Sequence, residues 1–169
     1  RALNAMREVA RRHGVGEVLL MCIGLAERAH LYRQAGYDAI TAYSYGWGDA
    51  PRYPNNDCDY DDLLWEHHQA WQRSLRGAHA GGLRYMPVVW TGWDDFARAR
   101  DRVVRTRGNT AGIFREMCHL AKRFVDPPLN LLIIEAWNEW GEGSVLEPGV
   151  ERGFAFLDAV RDIFTRALG

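Results

Sequence analysis

The chain has 169 residues, 47% of them hydrophobic and 25% charged, with a net charge of −1. That hydrophobic share builds a sizeable core and excludes a disordered chain. The near-zero charge lacks the basic surplus of a nucleic-acid binder, and no run of about 18 apolar residues offers a membrane span. The unusual figure is seven Trp, beside seven Tyr and six Phe.

Residues 2–12 place Leu3, Met6, Val9 and Ala10 at helical spacing, and Gly14 and Gly16 break that helix. Residues 17–23 form an apolar run of strand length. Residues 26–35 read as a helix ending at Gly36, a natural position for left-handed backbone. Residues 38–43 are a second strand, followed by a polar loop over 44–59. A helix over 60–79 carries Leu63, Leu64, His67, Trp71 and Leu75 near one face. Residues 83–90 are a third strand, and a loop spans 91–108. The helix over 110–125 has Ile113, Met117, Leu120, Ala121 and Phe124 in register and stops at Pro127 and Pro128. Residues 130–136 are a fourth strand. A last helix over 150–168 sets Leu157, Val160, Phe164 and Leu168 on one side.

Apolar strands alternating with helices predict an α/β fold with a parallel sheet covered by helices. No GxGxxG or phosphate loop follows a strand, which weakens a nucleotide-binding open sheet. A complete (β/α)₈ barrel takes about 250 residues. Four strands behind a strandless first helix therefore predict one partial domain over residues 1–169, the C-terminal half of a TIM barrel whose N-terminal βα units are missing.

Cys22, Cys58 and Cys118 form no CxxC pair, so neither a disulfide framework nor a zinc site is expected; Cys22 reads as a buried thiol. The stretch Asp57-Cys58-Asp59-Tyr60-Asp61-Asp62 resembles a calcium loop. Its sixth position is Asp62 rather than Gly and its twelfth is His68 rather than Glu, so helix capping explains it better. No HExxH or GxSxG occurs, and no cofactor or metal is expected.

Active sites of parallel α/β proteins form at the C-terminal ends of the strands. Trp47, Trp90, Trp93, Trp137 and Trp140 all fall there, whereas Trp65 and Trp71 lie on a helix as core or interface candidates. Aromatic faces among a few carboxylates suit sugar rings, whose C–H faces stack while their hydroxyls hydrogen-bond. Tyr43, Tyr45, Asp94, Asn138 and Glu147 complete the expected sugar-binding set. Glu139 and Glu142 lie in a Gly-containing turn that can bring both to one cavity, as glycoside cleavage by two carboxyl groups requires. Glu135 shares a strand face with Trp137 and is expected to point inward, toward a basic partner. Arg98, Arg100, Arg102, Arg105 and Arg107 follow the third strand with Asp94, Asp95 and Asp101. Internal pairing of that loop is favoured over recognition of an acidic sugar or phosphate.

The segment Trp137-Asn138-Glu139-Trp140-Gly141-Glu142-Gly143, with Leu146-Glu147-Pro148, resembles the WbsX-like domain, a family often named a glycosyltransferase and similar to glycoside hydrolase family 99. Weaker matches run through Tyr60 to Trp71, Met86-Pro87-Val88, Gly92-Trp93-Asp94, Gly108-Asn109-Thr110 and Phe114. The resemblance implies a (β/α)₈ barrel acting on a glycan or polysaccharide. It also implies Glu139 as general base toward the sugar 2-hydroxyl and Glu142 as acid/base on the glycosidic oxygen, with configuration retained through a 1,2-anhydro sugar. Gly141 departs from the pattern, standing where those hydrolases carry His. A retaining glycoside hydrolase is thus the expected function. The alternatives are a glycosyltransferase of cell-surface polysaccharide synthesis and a non-catalytic glycan-binding domain. For the transferase, Asp57-Cys58-Asp59 has DxD spacing but sits just before a helix.

Overall fold

A computed structural model describes residues 2–44, 57–99 and 105–165. In chain order the elements are α1 (Ala2–Arg12), β1 (Met21–Ile23), α2 (Ala29–Ala35), β2 (Ala39–Thr41), β3 (Asp57–Asp59), α3 (Tyr60–Ala80), β4 (Arg84–Tyr85), β5 (Val88–Trp90), α4 (Phe96–Ala99), β6 (Arg105–Arg107), α5 (Ala111–Ala121), β7 (Ile133–Glu135), β8 (Asn138–Glu139), β9 (Ser144–Val145) and α6 (Ala155–Phe164). Tight turns of 3₁₀ geometry precede α2, extend α5 and separate β8 from β9.

The expected alternation of parallel strands and helices is present. β1, β2 and β4 form one parallel sheet, and β5 pairs in parallel with β7. The single strand expected over 83–90 is divided at Pro87, whose ring nitrogen has no hydrogen to give a ladder. Met86 N–H still bonds the Ile40 carbonyl at 3.0 Å, and the Pro87 carbonyl accepts from Ile133 N–H at 2.9 Å. The segment thus passes from β2 on one side to β7 on the other. The four expected strands therefore lie side by side in sequence order, as in a barrel wall, but do not close among the described residues.

α3 packs over this sheet because its apolar positions recur at helical spacing. Leu63, His67 and Trp71 are fully buried along one stripe, and Trp71 Nε1 donates to the Val88 carbonyl at 3.0 Å. Tyr60, at the start of the same helix, donates to the Trp90 carbonyl. α5 buries Phe114, Met117, Cys118 and Ala121, with Ile113 and Leu120 packed at the margin. α6 adds Phe156 and Ala159, and the rings of Phe114 and Phe156 meet edge to face, 5.0 Å apart. Gly36 adopts φ +105 at the end of α2, the left-handed conformation its position suggested.

Several local expectations are corrected. The last helix begins at residue 155 rather than 150, because Gly149 and Gly153 close a turn first, with Gly153 N–H donating to the Gly149 carbonyl at 2.8 Å. Cys22 is half-buried at the sheet edge, whereas Cys58 and Cys118 are buried. Asp59 does sit at the N-cap of α3, but its side chain makes no capping hydrogen bond. The loop between β5 and α5 contains α4 and β6; β6 pairs in parallel with β3, and Arg107 forms an ion pair with Asp57 beside that ladder.

Candidate active site

The segment after β7 folds as a small antiparallel hairpin. Asn138 pairs with Val145 and Glu139 with Ser144, with Trp140–Glu142 forming the turn. Gly143 closes it at φ +65, and a Cβ there would lie 2.6 Å from the Asp94 nitrogen. This close approach lets Asp94 N–H donate to the Glu142 carbonyl at 2.8 Å, which docks the hairpin onto the loop after β5.

That docking fixes Glu142. One carboxylate oxygen accepts from Arg98 of α4 at 2.5 Å, and the other accepts from the Tyr43 hydroxyl at 3.1 Å. Arg98 also lies over the Trp93 ring, 5.8 Å from its centroid. Tyr43 follows β2, Arg98 follows β5 and Glu142 follows β7, so three strand ends converge on one carboxylate.

Glu135, the last residue of β7, is buried beneath this group, and its Oε2 accepts from Ser144 Oγ at 2.9 Å. Among the described residues no basic side chain bonds it, contrary to the sequence expectation; a serine hydroxyl from the hairpin takes that place. Burial, reinforced by the charges of Glu142 and Glu139, pushes the Glu135 carboxyl up to about 7 against the hydrogen bond from Ser144. The Tyr43 phenol is pushed up to about 12 by desolvation and by the negative charges of Glu135, Glu142 and Glu139. Glu139 itself is exposed on β8. Of these three carboxyl groups, Glu142 is the one hydrogen-bonded to the phenol.

The tryptophans separate into two sets. Trp137 and Trp140 are exposed, and Trp140 Nε1 donates to Glu147 at 2.9 Å. Trp140, Glu147, Pro148, Val150, Arg152 and Phe156 line a cleft of about 800 Å³. Trp90, expected at the sugar surface, is instead fully buried, with its ring 5.6 Å from Trp93 and 6.0 Å from His67. Trp93 is half-buried. Asp94 is engaged by Arg105 at 3.0 Å and by Phe96 N–H at 3.0 Å. Asn138 is exposed on β8. Tyr45, Trp47, Arg100, Asp101 and Arg102 lie outside the described residues. No group of three or more His, Cys, Asp or Glu able to hold a metal occurs among the described residues.

A family model described as glycosyltransferase WbsX matches residues 1–160. The chain belongs to the WbsX family. Two uncharacterised WxcX proteins, from two strains of Xanthomonas campestris pv. campestris, are 32% and 31% identical over 95% of this chain. The chain spans about a quarter of their length, 24% in each case. Among solved structures, a glycoside hydrolase-like protein aligns over 97% of this chain and 49% of its own, with TM-score 0.66 and 19% identity. The GH99 endo-alpha-mannosidase of Bacteroides thetaiotaomicron aligns over 79% of this chain and 35% of its own, with TM-score 0.54 and 19% identity. The WbsX chain thus shares the α/β fold of part of these proteins.

Of the cluster in this WbsX chain, Ser144 escaped sequence reasoning, and Arg98 and Glu135 were seen without their partners. Arg98 sat in a run of five arginines, which masked the one that reaches a carboxylate. Ser144 carries no motif of its own. Glu135 was visible as a carboxylate at a strand end, the position where such side chains turn toward a site.

Proposed function

We propose that this WbsX-family chain carries the acid/base pair of a retaining glycoside hydrolase acting on a glycan or polysaccharide, and that its βα units form one half of a (β/α)₈ barrel. The observation that carries the catalytic reading is the Glu142 carboxylate, held between Tyr43 and Arg98 at the C-terminal strand ends with Glu139 on the adjoining strand of the hairpin. Family membership and the fold shared with glycoside hydrolases support it.

In this reading Glu139 removes the proton from the sugar 2-hydroxyl, and that oxygen attacks the anomeric carbon. The glycosidic bond breaks as Glu142 gives its proton to the departing oxygen, leaving a 1,2-anhydro sugar. Water then opens the anhydro ring at the anomeric carbon. Glu142 takes the water's proton, and Glu139 returns its own to the 2-oxygen. Two inversions retain the configuration. Glu142 must carry a proton in the first step, so its ion pair with Arg98 belongs to the resting site. Trp137 and Trp140 offer exposed faces for stacking, and Trp93 offers a partial one.

The WbsX description also favours a second outcome: an acceptor hydroxyl, rather than water, opening the same intermediate and giving transfer. Turnover of a panel of glycans by the full-length protein, with products analysed for free reducing ends against new linkages, separates the two. Glu139→Gln and Glu142→Gln should each lower kcat by at least about 100-fold while glycan binding persists. Near-normal turnover in either variant removes that residue from the mechanism.

A further inference from the structure

Glu142 is held at its backbone as well as at its carboxylate, and the backbone contact leads out of the site. The Glu142 carbonyl accepts from Asp94 N–H at 2.8 Å. The stretch that carries Asp94 is fixed in turn by β6. Thr106, the central residue of that strand, is 6% exposed. Its N–H donates to the Trp93 carbonyl at 2.7 Å, and its hydroxyl donates to the same carbonyl at 3.1 Å. Its Oγ1 also accepts from Trp93 N–H at 2.8 Å, so one residue grips both main-chain groups of Trp93. Arg105, one position earlier, reaches the Asp94 carboxylate at 3.0 Å.

The hydroxyl supplies what strand pairing alone does not. The Thr106 N–H already satisfies the Trp93 carbonyl, whereas Trp93 N–H takes its acceptor from the threonine side chain. Gly92 permits the approach: it adopts φ +123, and a Cβ there would lie 2.9 Å from Thr106 Oγ1. On its other side β6 pairs with β3, whose chain runs directly into α3. Tyr60, the first residue of α3, is buried and donates to the Trp90 carbonyl. β6 is thereby tied to the long helix that covers the sheet, and it passes that anchorage to Asp94.

We propose that Thr106 is a positioning residue: its hydroxyl, closed on both main-chain groups of Trp93, holds Asp94 N–H in place for the Glu142 carbonyl and so sets where the Glu142 side chain stands. The consequence for turnover rests on the proposed role of Glu142; the anchoring of Asp94 does not.

The test joins amide hydrogen exchange and steady-state kinetics on the full-length protein. In the wild type the Trp93, Asp94 and Thr106 amides should share one protection factor, as a unit that opens together. Thr106→Val keeps the shape and removes the hydroxyl, so exchange at Trp93 and Asp94 should quicken at least about tenfold while the α3 amides stay unmoved. Thr106→Ser restores the hydroxyl and should bring both amides back to within about threefold of the wild type. In turnover, assayed well below each variant's melting temperature, kcat should fall at least about tenfold in Thr106→Val with KM within about twofold, and recover in Thr106→Ser. If Thr106→Val does not fold, the wild-type exchange pattern and Thr106→Ser decide the matter. An Asp94 amide that opens while Thr106 stays protected, wild-type exchange in Thr106→Val, or no recovery in Thr106→Ser would overturn the proposal. So would a Thr106→Val protein that loses the Asp94 protection and keeps its kcat. Exchange that behaves as expected in a protein that turns over no glycan would sink the hydrolase reading and leave the anchoring of Asp94 standing.

Discussion

The Tyr43 hydroxyl donates to Glu142 at 3.1 Å across 99 positions of sequence. This contact ties the end of β2 to the hairpin after β7, and it orients the carboxylate proposed to move the key proton. Removing a hydrogen bond to a charged group costs roughly 1.5–3 kcal/mol, which sets the scale of what the phenol can contribute.

Tyr43→Phe keeps the ring and deletes that donor. It should lower kcat by about ten- to a hundredfold and change KM little, because the bond acts on the reacting carboxyl rather than on sugar binding. Steady-state kinetics of the full-length protein check this. A pure rise in KM would make Tyr43 a sugar contact instead.

The two sets of tryptophans should respond in opposite ways. Trp137→Ala and Trp140→Ala remove exposed faces, so they should weaken glycan binding by about tenfold or more with little change in melting temperature. Trp90→Ala empties the core between Trp93 and His67. It should destabilise the fold by about 3–5 kcal/mol. Calorimetric titration with glycan, paired with thermal melts, separates the cases. A folded Trp90→Ala variant that keeps its stability but loses glycan affinity would contradict the placement of that ring.

These outcomes mark where sequence patterning is informative. The βα alternation was legible because apolar runs and helical stripes report burial directly, as the Leu63, His67 and Trp71 stripe shows. The β3–β6 pair was not legible. Each strand is three residues long with charged residues at both ends, and an Asp57–Arg107 ion pair accompanies their pairing between segments 50 positions apart. Trp90 misled because position at a strand end says nothing about which way the ring turns; the start of α3 and its stripe cover it. Glu135 and Trp137 were expected on one face, but β7 stops at Glu135 and strand alternation does not carry past it. The strand expected over 83–90 ran straight through Pro87, although a residue without an N–H is where a ladder breaks, and the strand divides there.

Stability should depend on pH through two buried groups acting in opposite directions. His67 is fully buried, and desolvation holds its pKa down to about 4. Its contribution is present above the unfolded value near 6.5 and is lost as pH falls toward 4, for about 3 kcal/mol at most. Glu135 is raised from 4.5 to about 7, so the folded state holds its proton longer and stability falls as pH rises through that window, again by about 3 kcal/mol at most. Between pH 4.5 and 6.5 the two slopes oppose each other and the wild type should be nearly flat. Glu135→Gln should grow more stable with rising pH there, and His67→Gln less. Denaturant melts across this range test both signs, and parallel curves for all three proteins would refute them.

The two glycines of the hairpin turn should differ sharply. Gly143 sits at φ +65 with the Asp94 backbone where a Cβ would go, so Gly143→Ala should undock the hairpin and cost about 2 kcal/mol or more, with loss of turnover. A Cβ on Gly141 meets nothing within 4 Å, so Gly141→Ala should lie within about 0.5 kcal/mol of the wild type. Thermal melts of the two variants give the comparison, and equal losses would contradict the geometry.

The pairing of a closed position with an open one, two residues apart, bears on how such a site can diversify. Gly143 anchors the hairpin and leaves selection almost no alternatives. Gly141 borders Glu142 in the chain without bearing on the fold, so new side chains can be sampled there at little cost to stability. On the proposed function, substrate preference can therefore drift through Gly141 while Gly143 keeps the proposed acid/base pair in register.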